Sequence, residues 1–553
     1  MAKPTRVDGE MIANYRAQGY WDDKGIPDIL MENAQRYPDQ EALVDSESRR
    51  TWAELDHVTN RVAYGLMEMG IKRDQALVAQ IPSPTASLIL LLSCQKAGVL
   101  CCFPPMTFRR NEMKHVLKTL HAAAVMTPMD YRNTNYHDIA RSIAQELPEL
   151  KHLMVMGDRT PAGIQYYKDL LETPMHNEDL LDVMKERGYS PFEVSMIVLT
   201  SGTTGMPKCI ENMGASCIAG GRGIVQRAKL NRKDIVGNIA PVSGGPGLQN
   251  WWAAFQIGAR VCTLARFSPE ETLRLIEREK ITYLAAIPTQ IIKILKQVDV
   301  TRYDLSSLRV IRTGAASFDA ALARETEDRF QCKVLIAGGS QETYSFGQSA
   351  VDDPREKRLG TLGRPFPGNE IKITDDNGKM VSKGEVGHLH VRGATTSSGY
   401  YGDPEATLEA WGEFGKEGWY CTGDLARMDE EGYLILAGRK KEIIIRGGQN
   451  IYPKEIEDVL LTHPGVMQAV VIRIPDPVMG ERACACITTC GKITLRFEEM
   501  VSFLKEKGLA VHKLPERLEV LDTLPLLVEG QKVDKMALEK RILERMAAEE
   551  RVG

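Results

Sequence analysis

A loop of small and hydroxyl-bearing residues follows a short apolar run near the middle of the sequence. The run Met196–Leu199 predicts a buried strand. Hydroxyls, glycines and a lysine come next, namely Thr200, Ser201, Gly202, Thr203, Thr204, Gly205 and Lys208. Hydroxyls and glycine N–H groups can donate to an anion and the lysine adds positive charge, so the loop predicts a phosphate site. Cys209 stands where a Walker motif has Ser or Thr, and a plain surface loop is the alternative interpretation.

Three further loops rich in small residues each follow a predicted strand. They occupy 241–247, 313–316 and 338–342. In open α/β sheets, ligands bind at the carboxyl ends of the strands, where such loops lie. We therefore expect these loops to surround a binding site.

The composition indicates a soluble globular protein of several domains or subdomains. The 553 residues carry 70 Lys and Arg against 74 Asp and Glu, without a basic stripe suited to nucleic acid. The 11 cysteines are scattered without zinc-ligand spacing, which indicates reduced thiols. The first residues lack the apolar core of a signal peptide, and no apolar run is long enough to span a membrane. We therefore expect a cytoplasmic protein.

The order of predicted elements indicates an α/β fold. Thr51 and Glu54 form a capping-box pattern that opens a helix. Strands alternate with helices up to about residue 360, which is typical of βαβ units and parallel sheets. A β-rich subdomain and then a small, mobile α+β domain are predicted after that point. We place the large N-terminal domain at 1–437 and the small C-terminal domain at 438–553.

Four separated stretches resemble the motifs of the adenylate-forming superfamily, which includes acyl-CoA synthetases, adenylation domains of peptide synthetases and luciferases. They are Leu199–Lys208, Tyr420–Asp424, Gly438–Glu457 and Gly530–Lys535. The resemblance implies a reaction in which a carboxylate attacks the α-phosphate of ATP and a thiol then captures the acyl-adenylate. Because a carboxylate is a poor electrophile, the main tasks are then to bind the triphosphate and to neutralise its charge.

The resemblance implies a nucleotide site built from several of these stretches. Glu342 resembles the magnesium-binding glutamate of the family, and a hard cation on phosphate oxygens prefers such a carboxylate. Asp424 would accept the ribose hydroxyls, and Arg439 would support the same sugar. The full ATP and AMP set is Thr200, Ser201, Gly202, Thr203, Thr204, Gly205, Lys208, Gly338, Gly339, Ser340, Gln341, Asp424 and Arg439.

The resemblance also implies a catalytic lysine near the C-terminus. Lys532 resembles the lysine that neutralises charge on the reacting oxygens, and Thr200 and Glu342 complete the catalytic set. The distance from Pro525 is one residue longer than usual in the family. Lys535 therefore stays an alternative.

A hinge and a thiol-binding segment are implied just before the small domain. Lys441 falls at the position that resembles the family's hinge, where a large backbone change can be absorbed. Gly447 and Gly448 would let the backbone approach the thiol-bearing arm of CoA.

Two stretches depart from the family pattern. The family usually has Tyr-Gly-x-Thr-Glu where this sequence has Gly338 to Glu342, so the aromatic residue for adenine is absent and Gln341 replaces a threonine. Either nucleotide affinity falls or another side chain fills in. The loop 241–247 lacks the usual aromatic–His pair, and Ser243 with its neighbouring glycines predicts either a widened acyl pocket or a broader carboxylate entrance.

The acid is the least determined substrate. The aromatic residues that are candidates for its pocket are equally typical of a hydrophobic core. No charged residue in these loops is placed to pair with an amino group, and no Asn is placed to recognise a catechol, so a neutral cyclic, aromatic or medium-chain acid fits best. The acyl-pocket set is Ser243, Gly244, Trp251, Gly314, Ala315 and Tyr344.

The leading hypothesis is an ATP-dependent carboxylic acid:CoA ligase that releases AMP and pyrophosphate. Mg²⁺ would accompany ATP, CoA would be the co-substrate, and the reaction could run towards ATP when pyrophosphate is present. The alternatives are a stand-alone enzyme that loads the phosphopantetheine of a carrier protein, and a nucleotide-binding regulator without catalysis. The expected partners are small molecules rather than nucleic acid or membrane, and a homodimer stays open.

Overall fold

The structure is a computed structural model that describes most of the chain. The described residues are 3–157, 165–175, 179–200, 206–314, 318, 320–412, 418–447, 449–489, 495–526 and 533–552. Helices and strands alternate through the first 360 residues, antiparallel strands follow, and a smaller mixed sheet comes last. The predicted α/β fold is confirmed.

The helices begin where the capping patterns predicted. The Thr51 side chain accepts from the Glu54 N–H at 3.2 Å, and the Glu54 carboxylate accepts from the Thr51 N–H at 2.8 Å, so the predicted capping box is confirmed. Ser268 caps a later helix in the same manner. The α-helices are Gly9–Ala17, Ile26–Arg36, Trp52–Glu68, Pro84–Ala97, Arg110–Thr119, Tyr136–Ala144, Tyr167–Leu171, Asp179–Arg187, Gly214–Ala228, Gly245–Gln256, Pro269–Glu279, Pro288–Gln297, Ala320–Phe330, Arg355–Gly360, Pro404–Trp411, Pro453–Leu461, Phe497–Glu506 and Lys535–Val552.

The first sheet is parallel through its centre and antiparallel at its edges. In spatial order its strands are Arg364–Pro365, Tyr344–Gln348, Lys333–Ser340, Val310–Gly314, Tyr283–Ala285, Ile235–Asn238, Arg260–Cys262, Glu41–Val44 and Arg49–Thr51. The central strands are nearly all apolar because helices cover both faces of the sheet. Their carboxyl ends lie at one edge, which brings the loops after them together.

The second sheet has the same design and carries the predicted phosphate loop. In spatial order its strands are Gly399–Tyr400, Cys209–Met213, Val194–Leu199, Leu100–Cys102, Ala76–Ala79, Ala124–Pro128, His152–Met156 and Gln165–Tyr166. The strand Cys209–Met213 was not predicted. It pairs antiparallel with Val194–Leu199 and is buried throughout.

The last two sheets contain the antiparallel strands of the second half. One consists of Asn369–Thr374, Gly387–Gly393, Tyr420–Met428 and Leu434–Arg439. The other consists of Gln449–Ile451, Ile444–Arg446, Gly480–Thr489, Val466–Asp476 and Arg517–Val520. A two-stranded hairpin, Asp130–Tyr131 with Thr134–Asn135, stands apart from them. Three single 3-10 turns complete the structure, and they are Val300–Arg302, Lys440–Glu442 and Val511–Lys513.

The largest core joins the two parallel sheets through the helices between them. Trp52, Trp251 and Phe255 are fully buried within it. The first described residues are tied to this body by polar contacts. The Thr5 N–H and hydroxyl donate to the Glu211 carboxylate at 2.8 and 2.6 Å, and Arg6 Nε donates to the carbonyl O of Ser397 at 2.8 Å. Among the described helices, none combines the length and the apolar character that crossing a membrane requires.

Candidate active site

The strands Val194–Leu199 and Cys209–Met213 hold the predicted phosphate loop at the end where they are joined. The Thr200 N–H donates to the carbonyl O of Lys208 at 3.1 Å, and the Lys208 N–H donates to Oγ1 of Thr200 at 2.9 Å. These two hydrogen bonds fix both ends of the loop. The other predicted residues of the loop lie outside the described residues, and they are Ser201, Gly202, Thr203, Thr204 and Gly205.

Tyr400 links Lys208 to Glu342. Nζ of Lys208 lies 4.5 Å from the centroid of the Tyr400 ring, and the Tyr400 hydroxyl donates to Oε1 of Glu342 at 3.2 Å. Strand pairing produces this arrangement, because Tyr400 pairs with Ile210 just after the phosphate loop. On the other side, the carbonyl O of Glu342 accepts from the Ser397 N–H at 2.8 Å. The structure therefore brings the predicted phosphate lysine and the predicted magnesium ligand to one tyrosine.

The tyrosines around Glu342 remain protonated donors at neutral pH. Burial raises the pKa of Tyr400, and the negative charge of Glu342 raises it further. Burial also raises the pKa of Tyr420, with the charges of Glu342 and Tyr400 adding to the shift. A neutral phenol can donate to a carboxylate. Sequence analysis assigned no role to either tyrosine, and the only signal for Tyr420 was its place in a family-like stretch.

The surroundings of Glu342 fit a magnesium ion that arrives with a nucleotide. Glu342 is 8% exposed, and no Lys or Arg among the described residues forms an ion pair with its carboxylate. Mg²⁺ is commonly held by one or two carboxylates together with substrate phosphates and water. The described residues contain no group of three His, Cys, Asp or Glu side chains suited to a metal. A magnesium ion shared with phosphates does not need such a group.

Asp424 and Arg439 lie opposite each other on neighbouring strands. Their Cα atoms are partners in the ladder, and Nε of Arg439 is 3.0 Å from Oδ1 of Asp424. Gly423 turns the chain with a φ of +73°, and the Asp424 N–H donates to the Thr422 hydroxyl at 3.0 Å. Arg439 is half exposed, whereas Asp424 is mostly covered. The pair expected at the ribose is thus preassembled, with the arginine orienting the carboxylate.

The predicted adenine segment is a strand rather than a loop. Gly338, Gly339 and Ser340 continue the strand Lys333–Ser340, with an irregularity between the two glycines. A Cβ on Gly338 would lie 2.8 Å from the ring of Phe346, so a buried ring from the adjacent strand covers this glycine. A Cβ on Gly339 would lie 1.9 Å from the carbonyl O of Tyr344, so only glycine fits.

Gln341 reaches the start of the helix Gly245–Gln256. Its Oε1 accepts from the Gly245 N–H at 2.9 Å, and its Nε2 lies 3.0 Å from where a Cβ on Gly244 would be. The helix N-terminus gains an acceptor in this way. Gln341 therefore joins the turn that carries Glu342 to the loop predicted to line the acyl pocket.

The predicted acyl residues occupy two environments. Ser243 and Gly244 are half-buried at the start of the helix Gly245–Gln256, and Gly314 is half-buried at the end of its strand. Trp251 and Tyr344 lie fully inside the main core, where the Tyr344 hydroxyl is 3.2 Å from the thiol of Cys217. Gly244 lies next to Gln341, whereas Trp251 and Tyr344 belong to the core. The remaining predicted residue lies outside the described residues, and it is Ala315.

The predicted hinge and thiol segment follow Arg439. Lys441 is exposed in the 3-10 turn Lys440–Glu442. Gly447 has a φ of +54°, and its N–H donates to the carbonyl O of Met479 at 2.8 Å. A side chain at Gly447 would collide with the Met479 methyl group. The remaining residue of this prediction, Gly448, lies outside the described residues.

The two candidate catalytic lysines differ in their surroundings. Nζ of Lys535 lies 2.6 Å from Glu442 and 3.3 Å from Glu457, so Lys535 ties the start of the last helix to the 3-10 turn. Lys532 lies outside the described residues and directly precedes Val533. Val533 pairs with Leu526, so the chain on both sides of the segment that contains Lys532 is held together. The ammonium group of Lys535 therefore forms ion pairs with two carboxylates of this chain.

Comparison with known proteins gives a consistent result. The family model described as AMP-binding enzyme matches residues 30–401, and the one described as its C-terminal domain matches residues 455–531. A medium-chain fatty-acid–CoA ligase of Escherichia coli (strain K12) is 32% identical over 97% of this chain and 93% of its own length. A 2,3-dihydroxybenzoate-AMP ligase of Bacillus subtilis (strain 168) is 30% identical, with coverage of 98% and 97%.

The solved structures agree on the fold. An anthranilate CoA ligase in complex with anthranoyl-AMP has a TM-score of 0.84 at 23% identity and covers 95% of this chain and 98% of that chain. At this identity the likeness concerns the fold alone. The family matches span most of the sequence; they include Leu199–Lys208 wholly, the last three residues of Gly438–Glu457 and the first two of Gly530–Lys535. The chain therefore belongs to the AMP-binding enzymes, the adenylate-forming superfamily that its motifs resemble.

Proposed function

We propose that this chain is an ATP-dependent carboxylic acid:CoA ligase that works through an acyl-adenylate. The observation that carries the proposal is the meeting of Lys208, Tyr400 and Glu342 at the phosphate loop. A cation for phosphate and a carboxylate for magnesium are the groups that activation of an acid by ATP requires. The similarity to a fatty-acid–CoA ligase and to an aryl-acid AMP ligase supports the same chemistry.

In the first step, a carboxylate oxygen of the acid attacks the α-phosphorus of ATP. A P–O bond forms, and the bond to the bridging oxygen of pyrophosphate breaks. Lys208 and the hydroxyls from Thr200 onward would hold the β- and γ-phosphates, and Glu342 would hold Mg²⁺, which neutralises phosphate charge. Asp424 would accept the ribose hydroxyls, with Arg439 fixing its orientation. Lys532 would donate to the reacting oxygens.

In the second step, the thiol of CoA attacks the acyl carbon of the adenylate. A C–S bond forms, the C–O bond to AMP breaks, and the thiol proton passes to water. Residues 438–553 would turn about Lys441 between the steps. The ion pairs of Lys535 with Glu442 and Glu457 would make the 3-10 turn move with this domain. Gly447 and Gly448 would then border the thiol.

We infer that the acid is cyclic, aromatic or of medium chain length. Ser243 and Gly244 carry little side-chain bulk at the half-buried start of the helix Gly245–Gln256. Small residues at such a position leave room for a ring or a short chain. Because the adenylate retains much of the free energy of ATP, added pyrophosphate would drive the first step backwards.

A second candidate is an enzyme that transfers the acyl group to the phosphopantetheine of a carrier protein. The 30% identity to a 2,3-dihydroxybenzoate-AMP ligase over nearly the whole of both chains favours it. The two candidates share the first step. They differ only in the thiol that accepts the acyl group.

An acid-dependent ATP–pyrophosphate exchange screen tests the shared step. We expect exchange with members of a panel of straight-chain, cyclic and aromatic acids. CoA or a phosphopantetheinylated carrier protein is then added with the best acid, and thioester formation with CoA supports the ligase. Transfer to the carrier alone would favour the second candidate. Exchange with no acid would contradict both and leave the nucleotide-binding regulator.

A further inference from the structure

Arg312 is a buried arginine without a carboxylate partner among the described residues. It lies in the parallel strand Val310–Gly314 and is 4% exposed. Its Nε donates to Oε1 of Gln348 at 2.6 Å. Its Nη2 donates to Oγ of Ser345 at 2.5 Å and to Oε1 of Gln249 at 3.3 Å. Every partner of this guanidinium is thus a neutral amide or hydroxyl.

A second buried guanidinium, that of Arg358, is neutralised. Arg358 is 5% exposed and lies 2.6 Å from the carboxylate of Glu327. Burial lowers the pKa of Arg312 from its ordinary value, and an arginine still keeps its charge at neutral pH. A buried charge is costly unless an opposite charge accompanies it. Arg312 therefore lacks the anionic partner that Arg358 has.

The cluster around Arg312 also has more donors than acceptors. Because arginine only donates, the amide oxygens of Gln249 and Gln348 must face it and their NH₂ groups must face elsewhere. The Ser345 hydroxyl donates to the same Gln249 oxygen at 2.6 Å. Within the described part of the chain, Nη1 of Arg312 and both amide NH₂ groups have no acceptor, and Nε2 of Gln348 is fully buried. Buried donors normally have partners, so the cluster lacks an acceptor.

This cluster adjoins the loop predicted to line the acyl pocket. Nε2 of Gln249 lies 3.2 Å from where a Cβ on Gly245 would be, and Oε1 of Gln341 lies 3.3 Å from the same point. Gln341 is the residue before Glu342. Gly245, at the start of the helix, therefore lies next to both Gln341 and the Gln249 side chain that accepts from Arg312. Gln249 is four residues into that helix, which corresponds to a depth of about 6 Å.

We propose that Arg312, Gln249 and Gln348 bind a second carboxylate at the far end of the acid. A carboxylate supplies negative charge and several acceptor positions, and a guanidinium recognises it through paired hydrogen bonds. The proposal rests on the ligase function and specifies its substrate as a dicarboxylic acid. Diacids of six carbons or more are the first to test, because Gln249 lies about 6 Å along the helix axis from Gly245, which donates to Gln341. This replaces the expectation of a neutral acid.

Matched pairs of acids test the proposal with the unaltered enzyme. Hexanedioate is compared with hexanoate, and octanedioate with octanoate, in acid-dependent CoA thioester formation. We expect kcat/KM to be about 100-fold higher for the diacid in at least one pair, because the monoacid leaves the buried donors unpaired. A monoacid that is equal or better in both pairs would overturn the proposal and leave the ligase function intact. Activity with none of the acids would count against the ligase function itself.

Two variants test whether Arg312 is responsible for the preference. Arg312→Met retains an unbranched stem and removes the charged guanidinium, so the preference for the diacid should fall about 100-fold while the monoacid rate is retained. Arg309→Met is the matched control, because Arg309 lies on the same segment and is paired with Asp234 at 2.8 Å. It should leave the preference unchanged.

A third variant covers the case in which Arg312→Met does not fold, as judged from its melting temperature. Gln249→Met removes one amide donor without removing a buried charge, and it should lower the diacid preference about 10-fold. A preference that persists unchanged in folded Arg312→Met, or in Gln249→Met when the first variant is unfolded, would overturn the role of this cluster.

Discussion

The nucleotide end and the acyl end of the candidate site treat charge in opposite ways. At the nucleotide end, Asp424 is paired with Arg439. Glu342 accepts a hydrogen bond from the Tyr400 hydroxyl, and the Tyr400 ring lies beside Lys208. At the acyl end, Arg312 is surrounded by neutral groups and has unused donors. The first end is largely assembled before its ligand binds. Under the proposal above, the acid supplies the anion that the second end lacks.

The largest effect in testing this contrast is expected from Lys532→Ala. Acid-dependent ATP–pyrophosphate exchange should fall about 1,000-fold, because no other proposed group neutralises the reacting oxygens from the small domain. Exchange rates and melting temperature are measured together. Lys535→Ala is the matched control. It breaks the ion pairs with Glu442 and Glu457, so it should lower stability and change exchange by less than about 10-fold. The reverse ranking would make Lys535 the catalytic lysine.

A smaller effect is expected from Glu342→Gln. Exchange should fall about 100-fold and the Mg²⁺ concentration for half-maximal rate should rise, because an amide is a weaker ligand for a hard cation. Titration of Mg²⁺ at fixed ATP measures both. Tyr400→Phe keeps the ring beside Lys208 and removes only the donor to Glu342, so its effect should be about 10-fold or less. An unchanged magnesium requirement in Glu342→Gln would remove this residue from the site.

Asp424→Asn should change KM for ATP and leave the acid preference unchanged. We expect KM for ATP to rise about 10-fold, because hydrogen bonds from the ribose to a charged acceptor become bonds to a neutral one. Steady-state kinetics with both substrates varied provide the measurement. The preference between diacid and monoacid should stay the same, whereas Arg312→Met should change that preference and not KM for ATP. A shift of acid preference in Asp424→Asn would show that the two ends are not independent.

The smallest effect concerns stability rather than activity. Burial raises the pKa of Glu211 from 4.5 to about 7, against the hydrogen bonds from Thr5 that lower it. The folded protein then binds more protons than the unfolded chain between these values, so stability falls as pH rises through this window. The full difference is about 3 kcal/mol.

Glu211→Gln removes this titration. Its melting temperature should exceed that of the unaltered protein at pH 8 and nearly match it at pH 4.5, where the glutamate is protonated in the folded state. Thermal unfolding at the two pH values measures the effect. An equal gain at both pH values would show that ionisation of Glu211 is not responsible.

Local sequence rules predicted much of the fold. The capping box at Thr51 and Glu54 and the cap at Ser268 depend only on neighbouring residues, and both are confirmed. The alternation of strands and helices predicted the parallel sheets correctly. These features follow from hydrogen bonds and periodicities within a few residues, which a single sequence displays.

Features that depend on distant contacts were missed. The strand Cys209–Met213 contains Glu211 and Asn212, and polar residues of this kind do not predict a buried strand. They are buried because Thr5 and the neighbouring strands, which are distant in sequence, pack against them. Gly338 and Gly339 suggested a turn, but a ring and a carbonyl from the adjacent strand require the glycines there.

The site residues divide in the same way, into those with a local sequence signal and those that depend on distant contacts. Glu342, Asp424 and Lys208 belong to short stretches that can be recognised in sequence. Arg312 lies at the end of an apolar run, where the sequence alone gives no reason to distinguish it from an arginine that reaches solvent. Only the structure shows that its side-chain partners are the neutral amides of Gln249 and Gln348 rather than a carboxylate.

The contacts of the first described residues have a practical consequence. Thr5 supplies two donors to the buried Glu211 carboxylate, which lies three positions after Lys208. Trimming the chain to begin at residue 7 would therefore remove two hydrogen bonds from a strand two hundred positions away, next to the predicted phosphate loop. The first described residues thus help to hold the strand that follows this loop.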